Sequence, residues 1–142
     1  MKILFILSLL ASSSASSPPK EIDEAATCLD LTSLRATASV SGLLTMRIFA
    51  GPPNYESIAG GDAEERTYIL ELPARLCASD GEFIENSTKF DRVQIGTSDP
   101  ALIRVLNASI GSQVTVHGEA FGAHTGHHHA PLVILADQVT VR

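Results

Sequence analysis

All five histidines of this chain lie between His117 and His129, and four fall in the run His124-Thr125-Gly126-His127-His128-His129. Imidazole is the commonest metal ligand, it titrates near neutrality, and it can both donate and accept a hydrogen bond. A cluster this dense therefore points to metal binding, small-ligand binding, pH sensing or a hydrogen-bonded loop. If the run is extended, His127 and His129 project to one side and His128 to the other, with His117 on the preceding strand nearby. That alternation makes His117, His127 and His129 the candidate metal ligands. A carboxylate from Glu56, Asp62, Glu64 or Glu65 would complete a mixed nitrogen and oxygen set suited to zinc or copper. The run is internal and ends at Ala130-Pro131, unlike a purification tag, which is normally terminal.

A second unusual segment, Gly51-Pro52-Pro53-Asn54-Tyr55-Glu56-Ser57-Ile58, precedes the histidines by some way in the chain. Tyr55 and Glu56 there, with His124 and His128, are the candidate contacts for a small ligand. Phe49 and Phe121 stand at strand ends, where an aromatic ring lines a cleft or fills a core. Enzyme motifs are missing: there is no Gly-x-Ser-x-Gly elbow, no His-Glu-x-x-His and no phosphate-cradling glycine loop. A hydrolytic centre built from Ser57, a histidine and Asp62 is the enzymatic alternative, because such triads assemble in space rather than in sequence.

Both segments need elements to hold them. Arg35 to Phe49 is rich in strand formers and predicts one long strand, bent or bulged at Gly42. Thr67 to Leu72 predicts a second strand, broken at Pro73, and Arg92 to Ile95 a short third. Asp99-Pro100 offers an N-cap followed by the favoured first-turn proline, and apolar residues recur at helical spacing up to Ile110, so a short helix follows. Gln113 to Phe121 and Leu132 to Val141 predict the fourth and fifth strands. The expected fold is mainly β, a small five-stranded OB-like barrel with its helix between strands three and four; an α+β sandwich has the same element order. In the barrel, the loops after the first and fourth strands face each other, so the Tyr55 segment and the histidine run would meet.

The N-terminus reads as a secretory signal: Lys2, the apolar run Ile3 to Leu10, then Ala11-Ser12-Ser13-Ser14-Ala15-Ser16. Its apolar run is too short to span a bilayer as a helix, so no membrane span is expected once it is removed. The expected organisation is a signal peptide at 1–16, a flexible leader at 17–33 and one folded domain at 34–142. Cys28 and Cys77, the two cysteines of an exported chain, are expected to form a disulfide worth about 4 kcal/mol in the chain-entropy treatment. The formal net charge is −6, and such acidity excludes the lysine and arginine surface that nucleic acid requires. Asn86-Ser87-Thr88 and Asn107-Ala108-Ser109 match the glycosylation sequon, a tripeptide that also arises by chance.

Gly51-Pro-Pro-Asn-Tyr-Glu-Ser and Val114-Thr-Val-His-Gly-Glu-Ala-Phe-Gly-Ala-His-Thr-Gly-His-His-His-Ala-Pro resemble the two signature segments of a bacterial secreted family, domain of unknown function 4431. The resemblance runs from about Val40 to Val141. It implies a periplasmic or secreted bacterial domain, makes the sequons irrelevant, and carries over Tyr55, Glu56, His124, His127, His128 and His129 as site residues without supplying an activity. Where the family has Phe-His-Ala-His, this chain has Phe121-Gly122-Ala123-His124, so no histidine stands at 122. The expected function is a secreted or periplasmic, non-enzymatic domain that binds a metal ion or small ligand between its two unusual loops. The alternative is an envelope module for protein interaction or inhibition, in which the histidine loop is structural.

Overall fold

The computed structural model describes residues 28–142. The expected signal peptide at 1–16 and positions 17–27 of the expected leader lie outside the described residues. Residues 28–33, the rest of that leader, carry a two-residue strand and the buried Leu31. The elements run β1 (Leu29–Asp30), β2 (Thr37–Ala50), β3 (Glu64–Ser79), β4 (Lys89–Gly96), α1 (Pro100–Ser109), β5 (Gln113–Gly122) and β6 (Leu132–Val141). The protein is mainly β, with one helix among the described residues. No helix of the described residues is long and apolar enough to cross a membrane.

The six strands form one sheet in the order β1-β3-β2-β5-β6-β4, and a further pairing of β3 with β4 brings the circuit back on itself. Neighbours are antiparallel except β4 with β6 and the short β1 with β3. Alternation along β5 is complete: Val114, Val116, Gly118, Ala120 and Gly122 are buried, and the residues between them are not. These inward positions join Leu44, Leu70, Val93, Leu132 and Ile134, all without exposed surface, in one apolar core. Leu106 of α1 packs into the same core. Asp99 caps that helix by accepting from the Ala101 amide at 2.8 Å.

Gly42 does not mark a bulge, since neither ladder of β2 shifts register along its length. It stands where β2 passes from β3 to β5, and a Cβ there would lie 2.3 Å from the Glu71 carbonyl oxygen. Close backbone approach is what requires glycine there. The irregularities fall elsewhere. Strand β3 continues past Pro73, and the β3–β4 register shifts between Glu71 and Leu76, so the proline sits where no ladder bond is asked of it. A second shift, between His117 and Gly118, leaves Asp137 as the extra residue of β6. Cys28 and Cys77 are disulfide-bonded across a sequence separation of 49, which fastens the start of β1 to β3.

Candidate functional site

The loop between β2 and β3 is organised by one carboxylate. Asp62, 6% exposed, accepts from the Asn54 amide and side chain on one oxygen and from the Glu56 and Ser57 amides on the other, at 2.8–3.2 Å. Those bonds, the ones from Ser57 and Glu56 strongest, hold its carboxyl below the usual carboxylate range. With both oxygens committed, Asp62 is a structural residue of the loop, not a ligand for anything outside it. The wrapped chain holds Tyr55 at φ 61°, a left-handed conformation uncommon outside glycine and asparagine. Its ring lies against Gly126 of the other loop, where any Cβ would come within 2.9 Å of the tyrosine carbons. The two unusual loops do meet.

The carboxylate that reaches the histidines is Glu65, on β3. One oxygen accepts from His127 Nδ1 at 2.5 Å and the other from His129 Nε2 at 2.9 Å. Burial pushes the Glu65 carboxyl up, but the hydrogen bonds from His129 and His127, and the charge those rings carry when protonated, outweigh it and leave it below the usual range. An ionised carboxylate accepts only, so both imidazoles point a proton at it. The lone pair of neutral His127 is then on Nε2, where the Tyr55 hydroxyl donates to it at 3.0 Å. His129 is well enclosed, with an 11% exposed side chain. It stacks on Phe49 at 4.2 Å between centroids and 3° between planes, a contact that further restricts its orientation. Gln94 of β4 ties down the backbone beside it, accepting from the His129 amide at 2.6 Å and donating to the His127 carbonyl at 2.9 Å.

His128 faces the other way. Its Nδ1 accepts from the amides of His124 and Thr125 at 3.0 and 3.2 Å, so the ring carries its proton on Nε2. Burial, reinforced by the nearby His124, His127 and His129, holds His128 below the usual imidazole range. Both effects favour the neutral form that can accept those bonds. His124 donates from Nδ1 to the Gly122 carbonyl at 2.8 Å and stacks on Phe83 at 5.0 Å. It also lines a shallow cleft of about 360 Å³ with Leu34, Phe83 and Phe121.

The expected set is thus divided. His127 and His129 share Glu65; His124 and His128 serve the loop's own backbone; the Glu56 side chain is exposed and takes no part in this network. His117 is not with them. It pairs through Nδ1 with Asp137 at 2.7 Å, on an open part of the sheet where the two side chains are 40% and 62% exposed. The reason is strand geometry, since His117 stands five residues before the end of β5, a run of about 17 Å. Among the described residues, no group of three or more His, Cys, Asp or Glu side chains is placed to hold a metal ion. Sequence reasoning named Glu65 as one of four carboxylates and missed Gln94 and Phe83. An alternation of Gln94 between the apolar Val93 and Ile95 was the available sign of an outward polar position on β4.

Comparison with curated proteins gives no match. The family model described as Domain of unknown function (DUF4431) matches residues 92–140, from β4 through α1, β5 and the histidine loop into β6. Tyr55 and Glu65 lie before the matched stretch. Over these 92–140 positions, including all five histidines, the chain resembles Domain of unknown function (DUF4431).

Proposed function

We propose that this is a secreted or periplasmic, non-enzymatic binding domain of OB-like barrel build, whose histidine loop is a scaffold for a protein-binding face. The barrel reading is supported by the closed circuit of pairings and the parallel β4–β6 pair. In OB folds the loops after the first and fourth barrel strands flank the ligand, and here those are the Tyr55 and histidine loops. Export is supported by the disulfide, which persists in oxidising compartments.

The observation that carries the reading is where the imidazole lone pairs go. That of His127 accepts from Tyr55, and that of His128 accepts from two backbone amides. A metal needs such lone pairs free and converging at about 2.0–2.1 Å. The histidines instead lock two distant loops into one surface. That surface is flanked by Leu34 and Phe83, 96% and 51% exposed, around the cleft that His124 lines, and exposed apolar side chains beside a rigid polar rim mark a protein interface.

A second reading, binding of zinc, copper or a small ligand, is favoured by the convergence of His127, His129 and Glu65. Elemental analysis of protein purified from its native compartment without chelator separates the two. The scaffold reading expects no stoichiometric metal and no rise in Tm with added zinc or copper. One equivalent of bound metal would overturn it in favour of the second.

A further inference from the structure

Tyr55, His127 and Glu65 form a continuous carboxylate–imidazole–hydroxyl relay. The Glu65 carboxylate accepts from His127 Nδ1 at 2.5 Å, and the Tyr55 hydroxyl donates to His127 Nε2 at 3.0 Å. Both links are in the order that converts a hydroxyl into a nucleophile: the carboxylate fixes the tautomer, and the imidazole lone pair faces the proton to be removed. The site is reachable, since the His127 side chain is 58% exposed and Tyr55 is half-buried. Tyr55 is also held in a left-handed backbone conformation against Gly126, and local strain of this kind gathers at functional positions.

The protein contains its own control. Its other tyrosine, Tyr68, donates to the Asn107 side-chain oxygen at 2.7 Å, an acceptor that cannot take up a proton. Burial also pushes the Tyr68 hydroxyl up from its ordinary range. Two phenols of one chain thus differ in the group their protons face.

We propose that Tyr55 is a nucleophilic acceptor for acyl groups, with His127 as its base and Glu65 as the residue that positions His127. The Tyr55 oxygen attacks the acyl carbon of an ester carrying a good leaving group, while its proton passes to His127 Nε2. The bond from Tyr55 Oη to the acyl carbon forms, the bond to the leaving oxygen breaks, and the proton on His127 goes to the leaving group or to water. The product is an O-acyl tyrosine and a free alcohol or phenol. This is one covalent capture per chain, not turnover, so it extends a binding role to ligands with an activated acyl group.

The test uses p-nitrophenyl acetate and the intact protein, with the acetylated residues located by mass spectrometry. Tyr55 is expected to acetylate about 100-fold faster than Tyr68, the lower end of what a positioned base supplies. His127→Gln, which still accepts a hydrogen bond but cannot take the proton, should remove that advantage. Glu65→Gln should slow Tyr55 acetylation as the His127 imidazole ¹⁵N resonances leave the single Nδ1-protonated tautomer, while Tyr68 labelling stays unchanged, a selective loss at Tyr55 that a general loosening of the fold would not produce. Tyr68 in the same samples reports whether a variant has unfolded, since its protection would be lost. Equal labelling of the two tyrosines, or wild-type labelling of Tyr55 in the folded His127→Gln variant, would overturn the proposal. Neither result bears on the metal content that decides the proposed function, so the two readings fail separately.

Discussion

Two places in this molecule pair a carboxylate with an imidazole at nearly the same distance, and they have little else in common. Asp137 and His117 meet at 2.7 Å on an open sheet face, with side chains 62% and 40% exposed. Glu65 meets His127 at 2.5 Å and His129 at 2.9 Å, and each imidazole makes a further contact, to Tyr55 in one case and Phe49 in the other. The first is a surface pair with no further partner in its hydrogen bond among the described residues, which contributes little because water competes for it and because holding it costs side-chain entropy. The second is a network joining β3, the β2–β3 loop and the histidine loop: His127 is 58% exposed, but Glu65 and His129 are only 24% and 11% exposed, and the shared carboxylate couples the links. Distance alone does not make a histidine structural; what surrounds the pair does.

Removing His127 and His129 together should show the contrast most strongly. The double alanine variant loses two bonds to an ionised carboxylate, the ring stack on Phe49 and the acceptor of the Tyr55 hydroxyl. It should be destabilised by about 3 kcal/mol in denaturant melts run with chelator. An unchanged midpoint with chelator, alongside a lost response to zinc, would transfer these residues to the metal reading. Glu65→Gln keeps the shape and removes the charge, so a smaller loss of about 1–2 kcal/mol is expected from the same melts.

Acid should act on the network in two stages, and the sign follows from the direction of each shift. His128 lies below its ordinary value of 6.5 when folded, so the unfolded chain takes up its proton first. Its contribution is present above pH 6.5 and fades as the pH falls from there through the folded value. Glu65 lies below its ordinary 4.5, so its contribution is lost only at still lower pH. Thermal melts across pH should therefore begin to decline near 6.5. In His128→Asn, whose amide oxygen can accept the same backbone protons without titrating, the decline near 6.5 should be reduced. An identical pH profile in both proteins would remove His128 from this role. The smallest effect is expected at the exposed pair, where His117→Ala should change stability by no more than about 0.5 kcal/mol.

Much of this arrangement was legible in the chain. Strand-forming composition, with alternation in Gln113 to Phe121, located the strands around both loops, Asp99-Pro100 located the helix start, and the order of elements placed the Tyr55 and histidine segments together. Gly42 was legible as a special position but not for its reason, because a contact with the Glu71 carbonyl is made by a strand distant in sequence. The choice of Glu65 over Glu56 and Asp62 was not legible. It depends on Asp62 being consumed by four hydrogen bonds inside its own loop, and on the register that brings Glu65 opposite Phe49 beneath His129. His117 was misplaced for a related reason: its distance from the loop is set by how far β5 continues, and its partner by the register shift that turns Asp137 toward it.

The central claim is that the imidazoles of this loop are engaged as hydrogen-bonding groups, each in a definite tautomer. Imidazole ¹⁵N spectra of the folded protein near pH 7.5, with chelator and then with one equivalent of zinc, test it directly. The structure predicts His127 protonated on Nδ1, His128 on Nε2 and His129 on Nε2, with none of these resonances moved by the metal. Tautomers averaged in the chelated protein, or zinc-induced shifts at His127 and His129 that saturate at one equivalent, would contradict it.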